Sequence, residues 1–221
     1  MTTDHSFYFD RLYPLQDRVL AAIDQLGTAF YLTGGTATSR GYLQHRFSDD
    51  LDLFVNDHPQ FGLWTERIIT ALSGLEGTLT IGLRDQRFVR LSFRHQDVDL
   101  KIEMVSDVPA RVGTAYHHPT LGQLDTAENI LANKLTALLG RQEPKDLADV
   151  WGLCTRHGLS LSPALEGAQG KAVGLFAPDV ARVLLGATSD DWALVRWITA
   201  PDADQFVAEL QQLGENLLLH P

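Results

Sequence analysis

One cysteine, Cys154, stands in 221 residues, so no disulfide can form within the chain. Without a cystine framework the ordinary home is a reducing compartment. No apolar run approaches the ~20 residues that a membrane-crossing helix needs. The start, Met-Thr-Thr-Asp-His, has neither the basic residues nor the apolar segment of a secretory signal. The expectation is a cytoplasmic protein with no membrane attachment. Positive charge is also scarce. Lys and Arg number 18 against 28 Asp and Glu, a net charge of −10. Residues 1–110 and 111–221 share that acidity, and no basic tail stands out. Broad, sequence-blind nucleic-acid binding lives on phosphate neutralisation and is disfavoured; a local basic groove stays compatible. Repeats and low-complexity tracts are missing. His117-His118 lacks Cys or carboxylate partners at zinc spacing, which sets a zinc site aside.

What is there is concentrated near the front. Tyr31-Leu-Thr-Gly34-Gly35-Thr36 ends an apolar strand on two glycines, and Ser48-Asp-Asp50-Leu-Asp52-Leu-Phe-Val opens a second one. Strand residues alternate faces, so Asp50, Asp52 and Phe54 point one way and Leu51, Leu53 and Val55 the other. Two carboxylates about 7 Å apart by strand rise suit a hard divalent cation. Gly34-Gly35 lets the backbone approach a phosphate at the mouth of the next helix, with Thr36 as a further contact. A phosphate cradle beside a dicarboxylate points to metal-assisted nucleotidyl transfer from an NTP.

Periodicity places these motifs. Helices are expected over 11–26, 36–43 and 61–74, and strands over 28–33 and 50–55. Val89, Leu91 and Phe93 alternate with Arg90, Ser92 and Arg94, and Val98, Leu100, Ile102 and Met104 with Asp97, Asp99, Lys101 and Glu103. These are half-buried strands joined by a turn near His95-Gln-Asp. From about residue 125 the period is helical: 126–140, 144–157, 162–173, 178–186, 190–198 and 201–216. Asp125-Thr-Ala-Glu128 reads as a capping box with Asp125 as the cap. Pro144, Pro163, Pro178 and Pro201 suit first helical turns. A boundary over 108–124 divides an α/β half, 1–110, from a helical half, 111–221. The class is α+β: a small mixed sheet with flanking helices plus an all-α lobe that completes the active-site cleft.

Several further residues are candidates. Asp99 is the favoured third metal ligand, with Asp97 and Glu103 on the same face as rivals. Arg46 suits a phosphate contact or a pair with Asp49, and Ser48 a place at the metal site. His45 is a loop histidine whose default role is structural. Lys134 sits in an apolar stripe, where an ammonium is costly unless paired or led to the surface; otherwise it points at a triphosphate oxygen or leaving group. Asp146 and Asp149 share a flank of the helix that opens at Pro144, where the helix dipole alone favours acids. Arg84, Arg87, Arg90 and Arg94 form either a basic ribbon or a solvated sheet face.

Together these residues resemble one family, the AbiEii/AbiGii-type nucleotidyltransferase toxins of the DNA-polymerase-β-like superfamily. The likeness is carried by Leu32-Thr-Gly34-Gly35-Thr36-Ala37, His45-Arg46-Phe-Ser48-Asp-Asp50-Leu-Asp52-Leu-Phe, Asn133-Lys134-Leu-Thr-Ala-Leu, and Arg141 with Lys145-Asp146-Leu-Ala-Asp149. It runs over about residues 30–155. The resemblance implies a polymerase-β-like fold, Mg²⁺ on Asp50 and Asp52, nucleotide phosphates on Gly34, Gly35 and Thr36, Lys134 on the nucleotide and Asp146 as a further active-site acid. It also implies a toxin with a cognate antitoxin, and, for some members, transfer of a nucleotide to a tRNA 3′ end. Two rival expectations stand beside this one: a small-molecule nucleotidyltransferase of the aminoglycoside-modifying kind, whose cationic acceptor suits an acidic protein, and a non-catalytic nucleotide-binding module.

Overall fold

A computed structural model describes residues 5–172 and 174–219. Residues 1–4, at the start of the chain, and residue 173, the last of one expected helix, lie outside them. The chain divides into two compact units. One comprises residues 1–37, 48–109 and 115–125; the other comprises 38–47, 110–114 and 126–221. These bounds differ from a single division at residue 110.

The first unit is built on a seven-stranded mixed sheet in the order β3-β4-β5-β2-β1-β7-β6. Its strands are β1 (Tyr31–Thr33), β2 (Leu51–Asn56), β3 (Thr78–Arg84), β4 (Phe88–His95), β5 (Val98–Asp107), β6 (Tyr116–His118) and β7 (Gly122–Leu124). β2 runs antiparallel to β1 and parallel to β5, and β7 runs parallel to β1. The helical turns α1 (His5–Phe7) and α3 (Gly34–Thr36), and the helices α2 (Tyr13–Asp24) and α4 (Phe61–Ser73), accompany the sheet. The alternation anticipated for 50–55 and for the 89–104 pair is present: Leu51, Leu53, Val55, Val89, Leu91, Phe93, Leu100, Ile102 and Met104 are buried. They form the core with Val19, Leu20 and Ile23 of α2 and Trp64, Ile68 and Leu72 of α4.

The periodicity missed three strands. β3 is an edge strand, mostly exposed, with a register shift between Ile81 and Leu83. Gly77 and Gly82 break its pattern, and an edge strand carries little burial signal. β6 and β7 hold three residues each, in the segment read as a boundary.

The second unit, as described, is helical: α5 (Ala127–Gly140), α6 (Pro144–Thr155), α7 (Leu161–Gln169), α8 (Ala177–Leu185), α9 (Ser189–Leu194) and α10 (Ala203–Leu219). Pro144, Pro163 and Pro178 fall in first turns, while Pro201 stands two residues before α10. The cap of α5 is Thr126, whose Oγ1 accepts the Asn129 N–H at 3.2 Å. Asp125 is drawn away instead by the Thr33 hydroxyl, which donates to it at 2.7 Å. Trp151, Trp197 and Phe206 pack edge to face at 5.5–5.9 Å between ring centres and anchor the helical core.

Candidate active site

The acid face lies on β2. Leu51, Leu53 and Val55 are buried behind the sheet, and Asp52 and Phe54 occupy the opposite, half-buried face together with Asp50 just before the strand. The parallel register sets Asp52 beside Glu103 of β5, and Asp50 and Lys101 each stand two residues before them. Lys101 Nζ lies 2.7 Å from Asp50 Oδ2 and 3.4 Å from Glu103 Oε1. Burial works against the Lys101 ammonium, but hydrogen bonding and attraction from Asp50, then Glu103, outweigh it and hold its pKa above the ordinary value. Arg90 donates to the same Glu103 oxygen at 2.8 Å.

Asp99, the favoured third acid, lies near the start of β5, its side chain 59% exposed and 4.0 Å from Arg94. The register therefore brings Glu103 beside Asp52, and not Asp99. Alternation fixes a face but not a register, so the strand pattern alone could not separate the two.

The glycine turn meets this face directly. Gly34 has φ +67°, a left-handed conformation that a side chain disfavours, and a Cβ built on it would stand 2.2 Å from Asp52 Oδ2. Gly34→Ala is expected to cost about 1–2 kcal/mol in backbone strain and to push the Asp52 carboxylate aside. Thermal melts and transfer rates on one preparation would check it; an alanine variant with wild-type rates would contradict the close packing.

The entrance to β2 is pinned by residues that sequence reasoning passed over. Gln16 of α2, wholly buried, donates to the Asp49 carbonyl at 3.0 Å and the Ser48 carbonyl at 3.3 Å. Tyr8 donates to Asp49 Oδ1 at 2.8 Å. The Thr36 hydroxyl is buried, donates to the Asp50 carbonyl and stands 3.0 Å from Ser48 Oγ. Thr36 and Ser48 thus tie the glycine turn to the acid strand with hydroxyls turned inward. Gln16 left one trace in the sequence: a polar residue between Leu12, Val19, Leu20 and Ile23 on an apolar helix stripe.

Among the described residues no group of three or more His, Cys, Asp or Glu side chains is arranged to hold a metal ion. Mg²⁺ is commonly held by one or two carboxylates, with water and substrate phosphates supplying the rest. The hard oxygen donors of Asp50 and Asp52 are the pair that fits such an ion.

A second cluster lies inside the helical unit. Asp149 of α6, fully buried, accepts Arg46 through both oxygens at 2.7 Å, Lys134 of α5 at 2.6 Å and His45 Nε2 at 3.0 Å. Asp146 accepts Lys134 at 2.7 Å and Arg141 at 2.7 and 3.0 Å. Arg46, expected at a phosphate or at Asp49, is engaged by Asp149 with 4% of its surface exposed. Lys134 is neither snorkelled nor unpaired.

The strap 38–47, which runs from the glycine turn towards the acids in sequence, is fastened to this unit. Phe47 N–H donates to Arg196 O at 2.8 Å, and Ile198 N–H to His45 O at 2.9 Å. Gly152 of α6 leaves room for Leu43, whose Cδ1 would lie 2.6 Å from an added Cβ.

Burial alone would raise both aspartate pKa values. For Asp149 the charges of Arg46 and Lys134 outweigh it and hold the carboxyl well below 3.8; for Asp146, Lys134 and Arg141 do the same less strongly. Burial dominates at His45 and keeps its pKa below 6.5 despite the Asp149 carboxylate. All three groups bind protons more weakly folded than unfolded, so acid destabilises the protein. The His45 contribution is full above pH 6.5 and is lost as pH falls through the lower folded value; the aspartate contributions follow below pH 3.8. Urea midpoints should begin to fall just below pH 6.5, and His45→Gln should flatten that first leg alone. A midpoint constant from pH 7 to pH 5 in the wild type would contradict it. Burial also pushes the Cys154 thiol up to about 12, which makes it an inert core residue.

Arg84, Arg87, Arg90 and Arg94 do not form an open basic ribbon. They pair with Glu66, Asp57, Glu103 and Asp99. No helix of the described residues is long and apolar enough to cross a membrane.

The profile of the family described as "Nucleotidyl transferase AbiEii toxin, Type IV TA system" matches residues 18–215. Among solved structures, a candidate nucleotidyltransferase from H. pylori is similar with TM-score 0.62 and 20% identity, over 92% of this chain and 93% of that one. JHP933 from Helicobacter pylori is similar with TM-score 0.61 and 20% identity, over 94% of this chain and 92% of that one. No curated protein matches the chain.

Proposed function

Because the chain belongs to the AbiEii nucleotidyl transferase toxin family, we propose that it is a Mg²⁺-dependent transferase that moves an NMP from an NTP to a tRNA 3′ end or another macromolecular acceptor. One observation carries this reading. Asp50 and Asp52 share a face of β2, and the Asp52 carboxylate packs against Gly34 of the glycine turn. In such a transfer an acceptor oxygen bonds to the α-phosphorus and the bond to pyrophosphate breaks. Asp50 and Asp52 would hold Mg²⁺, which when bound activates the attacking oxygen and stabilises the leaving pyrophosphate; Glu103 stands beside Asp52 in the register. Gly34 and Gly35 offer close backbone approach to the triphosphate. Thr36 and Ser48 hold the turn against the acid strand. Lys134, Asp146, Arg46 and Asp149 keep the helical unit and the strap 38–47 in a single arrangement. The reading implies the cytoplasm and a cognate antitoxin.

A second reading, transfer to a small cationic acceptor, is favoured by the net charge of −10 and the pairing of the four sheet arginines. The test is incubation with Mg²⁺, each α-³²P NTP and total tRNA, with Asp50→Ala as control. Label on tRNA that vanishes in the variant is the expected result and names the nucleotide. Label on an aminoglycoside, with none on tRNA, would replace the first reading by the second. NTP binding without turnover on any acceptor would leave a nucleotide-binding module.

A further inference from the structure

The ion pair on the acid face is placed oddly for one that serves stability alone. Lys101 and Asp50 side chains are 41% and 37% exposed, and a pair in that setting contributes little to folding. Glu103 does not depend on Lys101, because Arg90 already donates to it at 2.8 Å. Lys101 instead reaches along the sheet from β5 to the carboxylate of Asp50, while its strand neighbour Glu103 registers with Asp52. Its ammonium thus sits on Asp50, one of the two carboxylates offered to a divalent ion, and beside Glu103. A lysine stem is long and flexible, with a compact charge at its end, so the ammonium can leave one oxyanion for another a few ångströms away.

We propose that Lys101 is a positioning residue that acts as a resident counter-cation: its ammonium bridges Asp50 and Glu103 in the free protein, disfavours a divalent ion bound alone, and moves to a triphosphate oxygen when nucleotide enters. Metal and nucleotide then load together, and the acids never confront one another without a cation. Arg90 keeps Glu103 oriented while Lys101 moves. The proposal rests on the nucleotidyltransferase reading of the acid face.

Opposed effects on two ligands test it. Mn²⁺ binding is measured by electron paramagnetic resonance on the whole protein, and Mn²⁺–NTP binding by calorimetry with a non-hydrolysable analogue. Lys101→Met keeps the stem and removes the charge. It should bind Mn²⁺ alone roughly fivefold more tightly, the size expected for a half-exposed charge pair, and bind the Mn²⁺–NTP analogue more weakly. Lys101→Arg, which keeps the charge, should bind Mn²⁺ alone as the wild type does. A role in folding alone would weaken both ligands together; that outcome, or Mn²⁺ affinity unchanged in Lys101→Met, overturns the proposal while leaving the metal site standing. Adding Asp52→Asn separates the two levels. Mn²⁺ binding that ignores Asp52 in every background would overturn the reading of the acid face and the proposal with it.

Discussion

Asp149→Ala is expected to lower stability by about 3–5 kcal/mol, the range for removing one partner of a buried ion pair. The substitution strands Arg46 and Lys134, each almost wholly buried, without the carboxylate that both share. Asp146 still holds Lys134, so Arg46 suffers most. Its guanidinium would keep only its bond to the Phe47 carbonyl among those described around it. The loss is a large part of the ~5–15 kcal/mol that typically holds a domain together, and the melting temperature should fall by about 10 °C. Pairing the change with Lys134→Met should cost less than the two single changes summed, because the second removes a charge that the first has stranded. Strict additivity in that cycle would show that the network is not a coupled unit.

Much of the first unit was legible because alternation is a two-residue signal and the strands are half-buried. Leu51, Leu53 and Val55 had to face inward, so Asp50 and Asp52 had to face out. The glycine pair and its distance to those acids were equally readable. Two kinds of information were not. Register was one: Asp97, Asp99 and Glu103 are equivalent in the pattern of β5, and only the pairing of Asp52 with Glu103 separates them. Long-range charge pairing was the other. Lys134 was visibly misplaced on an apolar stripe, yet nothing local said that its partners are Asp146 and Asp149, or that Arg46, 103 residues from Asp149, joins them. β3, β6 and β7 escaped because short or exposed strands leave little periodic trace.

Asp52→Asn should abolish transfer and leave the fold standing. Asparagine keeps the volume and one oxygen, so the packing against Gly34 survives, but the charge that a divalent cation needs is gone. Losing an outer partner of a metal ligand costs about 10–100-fold, and losing a ligand's charge should exceed that, a fall beyond ~100-fold in initial rate. The melting temperature should stay within about 2 °C, because Asp52 is half-buried and asparagine keeps its volume and much of its hydrogen-bonding capacity. The series then ranks the acids by geometry. Glu103→Gln should lose a substantial part of the rate, since Glu103 registers beside Asp52. Asp99→Asn should change it little, since Asp99 is largely exposed near the start of its strand and 4.0 Å from Arg94. Initial rates with labelled NTP and saturating acceptor give the order. A larger loss at Asp99 than at Glu103 would mean that the metal site follows a different register from the one the sheet displays.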